Sequence, residues 1–284
     1  MILVNVLLFV AIASGLVLLM INREELALDH ALRSSEAARA LAVARGGEMS
    51  AVVALRRDLI DAPGIDYAGE PWGALQERDA RIDGGTFDLS IADAQGRFNI
   101  NNVREHDASD LVLFRRIALA AGLNETQALA AAQLVREYGP VSDLRPIRLT
   151  GIDPAVADRL ETMVTALPGK HDINLNTATP ELMALLFHDP ATVDRLLSIR
   201  RQRGYLTKED FSDAGLPPQP GTGFTSDVFW VHSGVTLGGT RQEEAALIVR
   251  DTDAKGVPHA AAVERWRNAA IPPEVPDFPA PAGQ

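Results

Sequence analysis

The side chains that most often carry chemistry are sparse in this sequence and poorly spaced for it. The 284-residue chain has no Cys, which removes thiolate metal sites, disulfide scaffolds and Cys nucleophiles together. Its six His stand at 30, 106, 171, 188, 232 and 259, never in a close pair of the H-E-x-x-H kind. No G-x-S-x-G elbow, P-loop or G-x-G-x-x-G segment occurs. The acidic pairs Glu24-Glu25, Glu209-Asp210 and Glu243-Glu244 read as solvated surface rather than acid/base machinery. Glu209, Asp210, Asp213 and Asp227 flank the Pro/Gly-rich stretch from Pro217 to Gly223, but they lack the spacing of an EF-hand and none is assigned as a ligand. These residue types point away from catalysis and toward a structural or binding role.

Composition agrees. With 46% hydrophobic and 23% charged residues the chain is globular, and long enough for two domains. A formal charge of -11 repels nucleic acid over the molecule as a whole. The hydrophobicity is concentrated at one end: Met1 to Ile21 carries no charge, and only Asn5 and Ser14 have polar side chains. That is one membrane span. A secretory signal peptide needs a basic n-region and a small-residue cleavage site, and neither is present, so the span is expected to remain in the protein. From Leu28 to Val53 apolar residues recur near a helical period among Arg, Glu and Asp, so the same helix continues into water. Ending at about Leu59, before Pro63-Gly64, it is a rod about 85 Å long at 1.5 Å per residue, with Gly46-Gly47 as its weak point.

Beyond the rod, Phe87, Leu89 and Ile91 alternate with Asp88 and Ser90 as a strand, Asp93 to Gly96 has turn chemistry, and Arg97 to Ile100 reads as its returning partner. From Asp107 to about Leu216 the period becomes helical. Asn124 to Gln127 opens a helix as a capping box, while Asp153-Pro154, Thr179-Pro180 and Asp189-Pro190 each place a capping oxygen ahead of a first-turn proline. Strand patterns resume through Trp230, Val235 and Leu237, then Ala245 to Val249, with a last strand near Val257 to Trp266. The tail from Ile271 holds five Pro in eleven residues and is expected to be disordered.

The helical block repeats itself: D-P-A-x-x-D-R-L begins at Asp153 and again at Asp189, 36 residues apart. The second copy, with Arg200-Arg-Gln-Arg-Gly-Tyr205 behind it, resembles the helix-hairpin-helix modules of DNA-binding proteins. Such modules bring Gly-rich backbone amides to phosphate at a helix N-terminus. Here the turn is Leu186-Phe187-His188-Asp189, with no Gly and an anion in place. Six basic and six acidic residues between Lys170 and Phe211 leave the unit neutral. A packing role is the expectation; the alternative is a membrane-anchored DNA-binding protein of the competence type, and a membrane-tethered hydrolase has no candidate nucleophile.

Together, the uncharged N-terminal helix, Gln95-Gly-Arg-Phe-Asn-Ile-Asn-Asn-Val103, Leu167-Pro-Gly169, Ile173-Asn-Leu-Asn-Thr-Ala178 and the returning strands resemble the K-type minor pseudopilins of bacterial type II secretion, up to about Trp266. The resemblance implies an α+β fold: a pilin-like long N-terminal helix with an antiparallel sheet, interrupted by an inserted all-α domain of two helix-hairpin-helix-like units. Residues 1-21 would be the transmembrane half of the helix, 22-106 stem and first strands, 107-221 the insert, 222-270 the returning strands, and 271-284 the disordered tail. It implies a non-enzymatic component at the pseudopilus tip, single-pass in the inner membrane with its body in the periplasm. The I, J and H types and the major pseudopilin would be its partners, prepilin peptidase its processing enzyme, and nucleic acid no partner. Calcium is the one ion suggested, since related pseudopilins bind it. With no basic residue before Arg23, Met1 is expected to be the processed first residue, a truncated gene start being the alternative. Most pilins carry Glu at the fifth mature position, where it can neutralise a neighbour's terminal ammonium inside the bilayer. Asn5 lacks that charge and suits a subunit with none above it.

Overall fold

The computed structural model describes residues 2-105, 107-187, 189-217 and 219-280. Its first element, α1 (Ile2–Asp61), is one unbroken helix of 60 residues, about 90 Å at the usual rise. The residues it buries are Ala40, Ala44, Gly47, Glu48, Ala51, Leu55 and Asp58, which fall on one face at helical spacing. Gly47 is not a weak point but a close approach: a Cβ there would lie 2.8 Å from Cζ of Phe87 and 3.0 Å from the Ser233 hydroxyl. The helix tolerates the glycine because packing on the sheet outweighs the propensity cost of about 1 kcal/mol.

That sheet is β1 (Glu77–Ile82), β2 (Gly85–Asp93), β7 (Val228–Leu237), β8 (Thr240–Thr252) and β9 (Pro258–Arg267) in that spatial order, antiparallel throughout. Strand β7 is central and buried on both sides. Phe229 and Val231 face α1, where they meet Leu55, Trp72, Ile91 and Ile248. Val228 and Trp230 face the other way, onto Leu167, Ala245, Leu247 and Val275. The neighbours β2 and β7 pair from Gly85 with Leu237 to Asp93 with Phe229, so the chain leaves the sheet after Asp93 and re-enters it one strand away.

Between those points lie β3 (Phe98–Asn99), α2 (Ala108–Ala121), α3 (Glu125–Tyr138), α4 (Arg145–Arg148), α5 (Pro154–Glu161), β4 (Val164–Thr165), β5 (Ile173–Asn174), α6 (Pro180–Leu186), α7 (Pro190–Arg203), α8 (Lys208–Asp213) and β6 (Thr222–Gly223). The capping oxygens fall where the sequence puts them. Asn124 forms a full capping box, and Asp153, Thr179 and Asp189 accept from backbone amides of the turns they open. The helices enclose their own core around Phe114, Ile117, Leu160, Leu182 and Leu196. In the turn of the second repeat, His188 lies outside the described residues. Asp189 accepts from the Thr192 hydroxyl and the Thr192 and Ala191 amides, which hold its carboxyl below the usual range. Asp189→Ala should therefore lower the thermal midpoint by a few degrees at pH 7. The deficit should vanish as pH falls through the depressed pKa of the wild type, because protonation removes the same cap.

Two expectations are corrected. Arg97 to Ile100 is not the partner of the first strand: Phe98 and Asn99 pair in parallel with Val164 and Thr165, and β1 takes the place beside β2. The tail is not disordered over 271-280. Val275 and Glu274 are buried, and Phe278 stacks on His232 at 4.0 Å between ring centroids. Its prolines cost little entropy to order, and Ile271 and Val275 complete the apolar cluster on the outer face of the sheet.

Candidate functional site

Three features could do work, and each is built from elements already described. The first is the free half of α1. Every residue from Ile2 to Ser35 is exposed, and an 18-residue window within the helix has a mean hydropathy of 2.8 with none of it buried. Among the described residues this is the one helix long and apolar enough to cross a membrane. Asn5 lies on this bare stretch, and Met1 falls outside the described residues.

The second feature is the joint between sheet and helical segment, made by the two Asn-rich stretches. Asn99 accepts from Leu167 N–H and donates to Gly169 O. Asn101 donates to Val141 O at 2.9 Å and Leu167 O at 2.8 Å, and accepts from Val141 N–H at 3.0 Å. Asn102 pairs both ways with the His171 backbone. Asn174 donates to Asp66 O, the Asp93 carboxylate and the Ser226 hydroxyl, while Asn176 accepts from Leu206 N–H. A side-chain amide offers a donor and an acceptor in the geometry of a peptide group, so each Asn stands in for a missing strand neighbour. Asp93, which also accepts from Thr177 and Ser226, ties the second stretch to the end of β2.

The third is a buried charge cluster where α1 ends. Arg250, 2% exposed, donates to Leu55 O, to Asp58 at 2.7 Å, to Ser226 O and to Asp66, and its guanidinium lies over the Phe229 ring. Burial pushes the Asp66 carboxyl up against the pull of Arg250. Asp58, Asp66 and Glu70 form, among the described residues, the one group of three possible ligand atoms within 4.8 Å of one another. They do not fit a cation: Arg250 already supplies the positive charge, and Glu70 accepts from Tyr67 N–H and Trp72 Nε1. Beside the cluster runs an apolar groove of about 970 Å³ lined by Met49, Val53, Ile65, Tyr67, Leu75 and Tyr205.

Other residues singled out in the sequence are not gathered. Asp210 is engaged by Arg203 and the Thr207 amide, and it forms no cluster with Glu209, Asp213 and Asp227 among the described residues. Arg200 donates to Leu175 O and Ala178 O, inside the protein. Sequence patterns do not single out Arg250 or the individual asparagines as sites, although an Arg closing the apolar run from Ala245 to Val249 is a signal that a buried partner exists.

No family model matches the chain. It is 28% identical to the type II secretion system protein K of Pseudomonas aeruginosa, across 89% of each chain. It is 26% identical to the protein of the same name from Klebsiella pneumoniae, across 75% of this chain and 81% of that one. Its fold matches a chain in the GspK-GspI-GspJ complex of the enterotoxigenic Escherichia coli type 2 secretion system, with a TM-score of 0.64 and 19% identity, covering 83% of this chain and 98% of that one. The resemblance carried by the two Asn-rich stretches is borne out along most of the chain, and the competence-type alternative finds no support among these relatives.

Proposed function

We propose that this homologue of type II secretion system protein K works as a minor pseudopilin, a non-enzymatic assembly component at the tip of the pseudopilus. The observation that carries the reading is the bare apolar half of α1 joined, without a break, to a helix face packed on an antiparallel sheet. Such a helix is anchored in the bilayer before assembly and against other stems afterwards. The body is then periplasmic and the N-terminus lies on the cytoplasmic side. The I and J types are the partners suggested by the similar chain's complex; the H type and the major pseudopilin are placed below them by this proposal alone. The groove lined by Met49 and Val53 offers these partners an apolar surface on the solvent-exposed half of α1. A host strain lacking this chain should retain type II substrates in its periplasm and recover export when the full chain is restored; normal export without it would refute the assignment.

Asn5 is an uncharged amide within the exposed apolar half of α1, so it brings no carboxylate into the bilayer. Asn5→Leu removes no charge pair, so it should leave export within about twofold of the wild type at equal protein level. Loss of export would show that the amide makes a required contact.

A further inference from the structure

The segment after β9 crosses from the sheet to the helical insert and is fastened at both ends. At one end Phe278 stacks on His232, between the guanidiniums of Arg78 and Arg241 at 5.7 and 5.6 Å. Its seat is shaped for it: a Cβ on Gly234 would lie 2.9 Å from Cζ of Phe278. Nδ1 of His232 is 2.9 Å from Pro276 O. At the other end Glu274 is buried, its Oε1 accepts from Leu144 N–H of the insert, and its main-chain oxygen accepts from Arg97. Oε2 of Glu274 is buried without a partner among the described residues.

We propose that residues 271-280 are an acid-locked clasp, which ties the insert to the sheet while the Glu274 carboxyl is neutral and lets go when that carboxyl ionises. Arg97, bound to the main-chain oxygen, and Arg145, paired with Asp143 from the loop before α4, both attract a charge on Glu274, while Glu161 of α5 is paired with Arg148; burial outweighs that pull. Asp143 and Glu161 both repel a charge on Glu274, and burial with these neighbours holds the carboxyl up at about 7. At the Phe278 end, His232 faces Glu243 at 3.6 Å, and Arg241 bridges Glu243 and Asp88. The sign follows from linkage: the folded chain holds a proton that the unfolded chain has released, so the clasp's contribution is complete below the ordinary carboxyl value and is lost as pH rises through about 7.

Because the chain has no Cys, a spin label on Ala280→Cys in the full-length protein in detergent reports the clasp alone. The mobile fraction should rise about tenfold between pH 5.5 and 8.5, and Glu274→Gln should hold the label immobile throughout. Phe278→Ala, which removes the seat at the other end, should leave it mobile at every pH. An immobile label in the wild type at pH 8.5, or an unchanged transition in Glu274→Gln, would overturn the proposal.

Discussion

Arg250→Ala should destabilise the protein by about 3-5 kcal/mol, the usual cost of stranding buried charges by removing one partner. The guanidinium holds Asp58 at the end of α1, Asp66 in the following loop and the carbonyls of Leu55 and Ser226, so one truncation strands the Asp58 carboxylate, leaves Asp66 with only the Ser226 amide and takes a donor from two backbone oxygens. Urea unfolding followed by tryptophan fluorescence measures it, because Trp72 packs edge-on against Phe229 beneath the guanidinium. Pairing Arg250→Ala with Asp66→Asn should recover part of the loss, since it removes one stranded charge. A loss below about 1 kcal/mol, the range of an exposed pair, would mean that the cluster is not the lock between helix and sheet.

Asn101→Ala should cost about 3 kcal/mol, because it removes three hydrogen bonds and leaves the Val141 amide and the Val141 and Leu167 carbonyls without partners in a buried joint. Asn101→Asp should be nearly as damaging, because it keeps the acceptor for Val141 N–H and loses both donors. The midpoint of denaturant unfolding should shift with little change in slope, as expected when the joint loosens and the surface exposed on unfolding stays the same.

Elements governed by local chemistry are legible in the sequence. The apolar run, the Pro-preceding caps at Asp153, Thr179 and Asp189 and the alternation of Phe87, Leu89 and Ile91 each depend on neighbours a few residues away. What is not legible depends on distant partners. Strand β1 reads Glu-Arg-Asp-Ala-Arg-Ile, an edge strand whose charged, exposed side chains carry no apolar alternation. The Pro-rich tail looks like a linker until the outer face of β7 offers Trp230 and His232. Arg250 and Asp66 are 184 residues apart in sequence, and no local pattern announces their contact. The Asn-rich stretches stand out as a combination, while their role as side-chain substitutes for strand neighbours emerges only in the fold.

Assembly of this body with other minor pseudopilins is probed by co-purifying the chain lacking residues 1-21 with the soluble bodies of the I and J types from the same host. A single complex containing all three, lost when Met49 and Val53 are both replaced by Asp, is the expected outcome. Three proteins that elute separately at micromolar concentration would refute the assembly role.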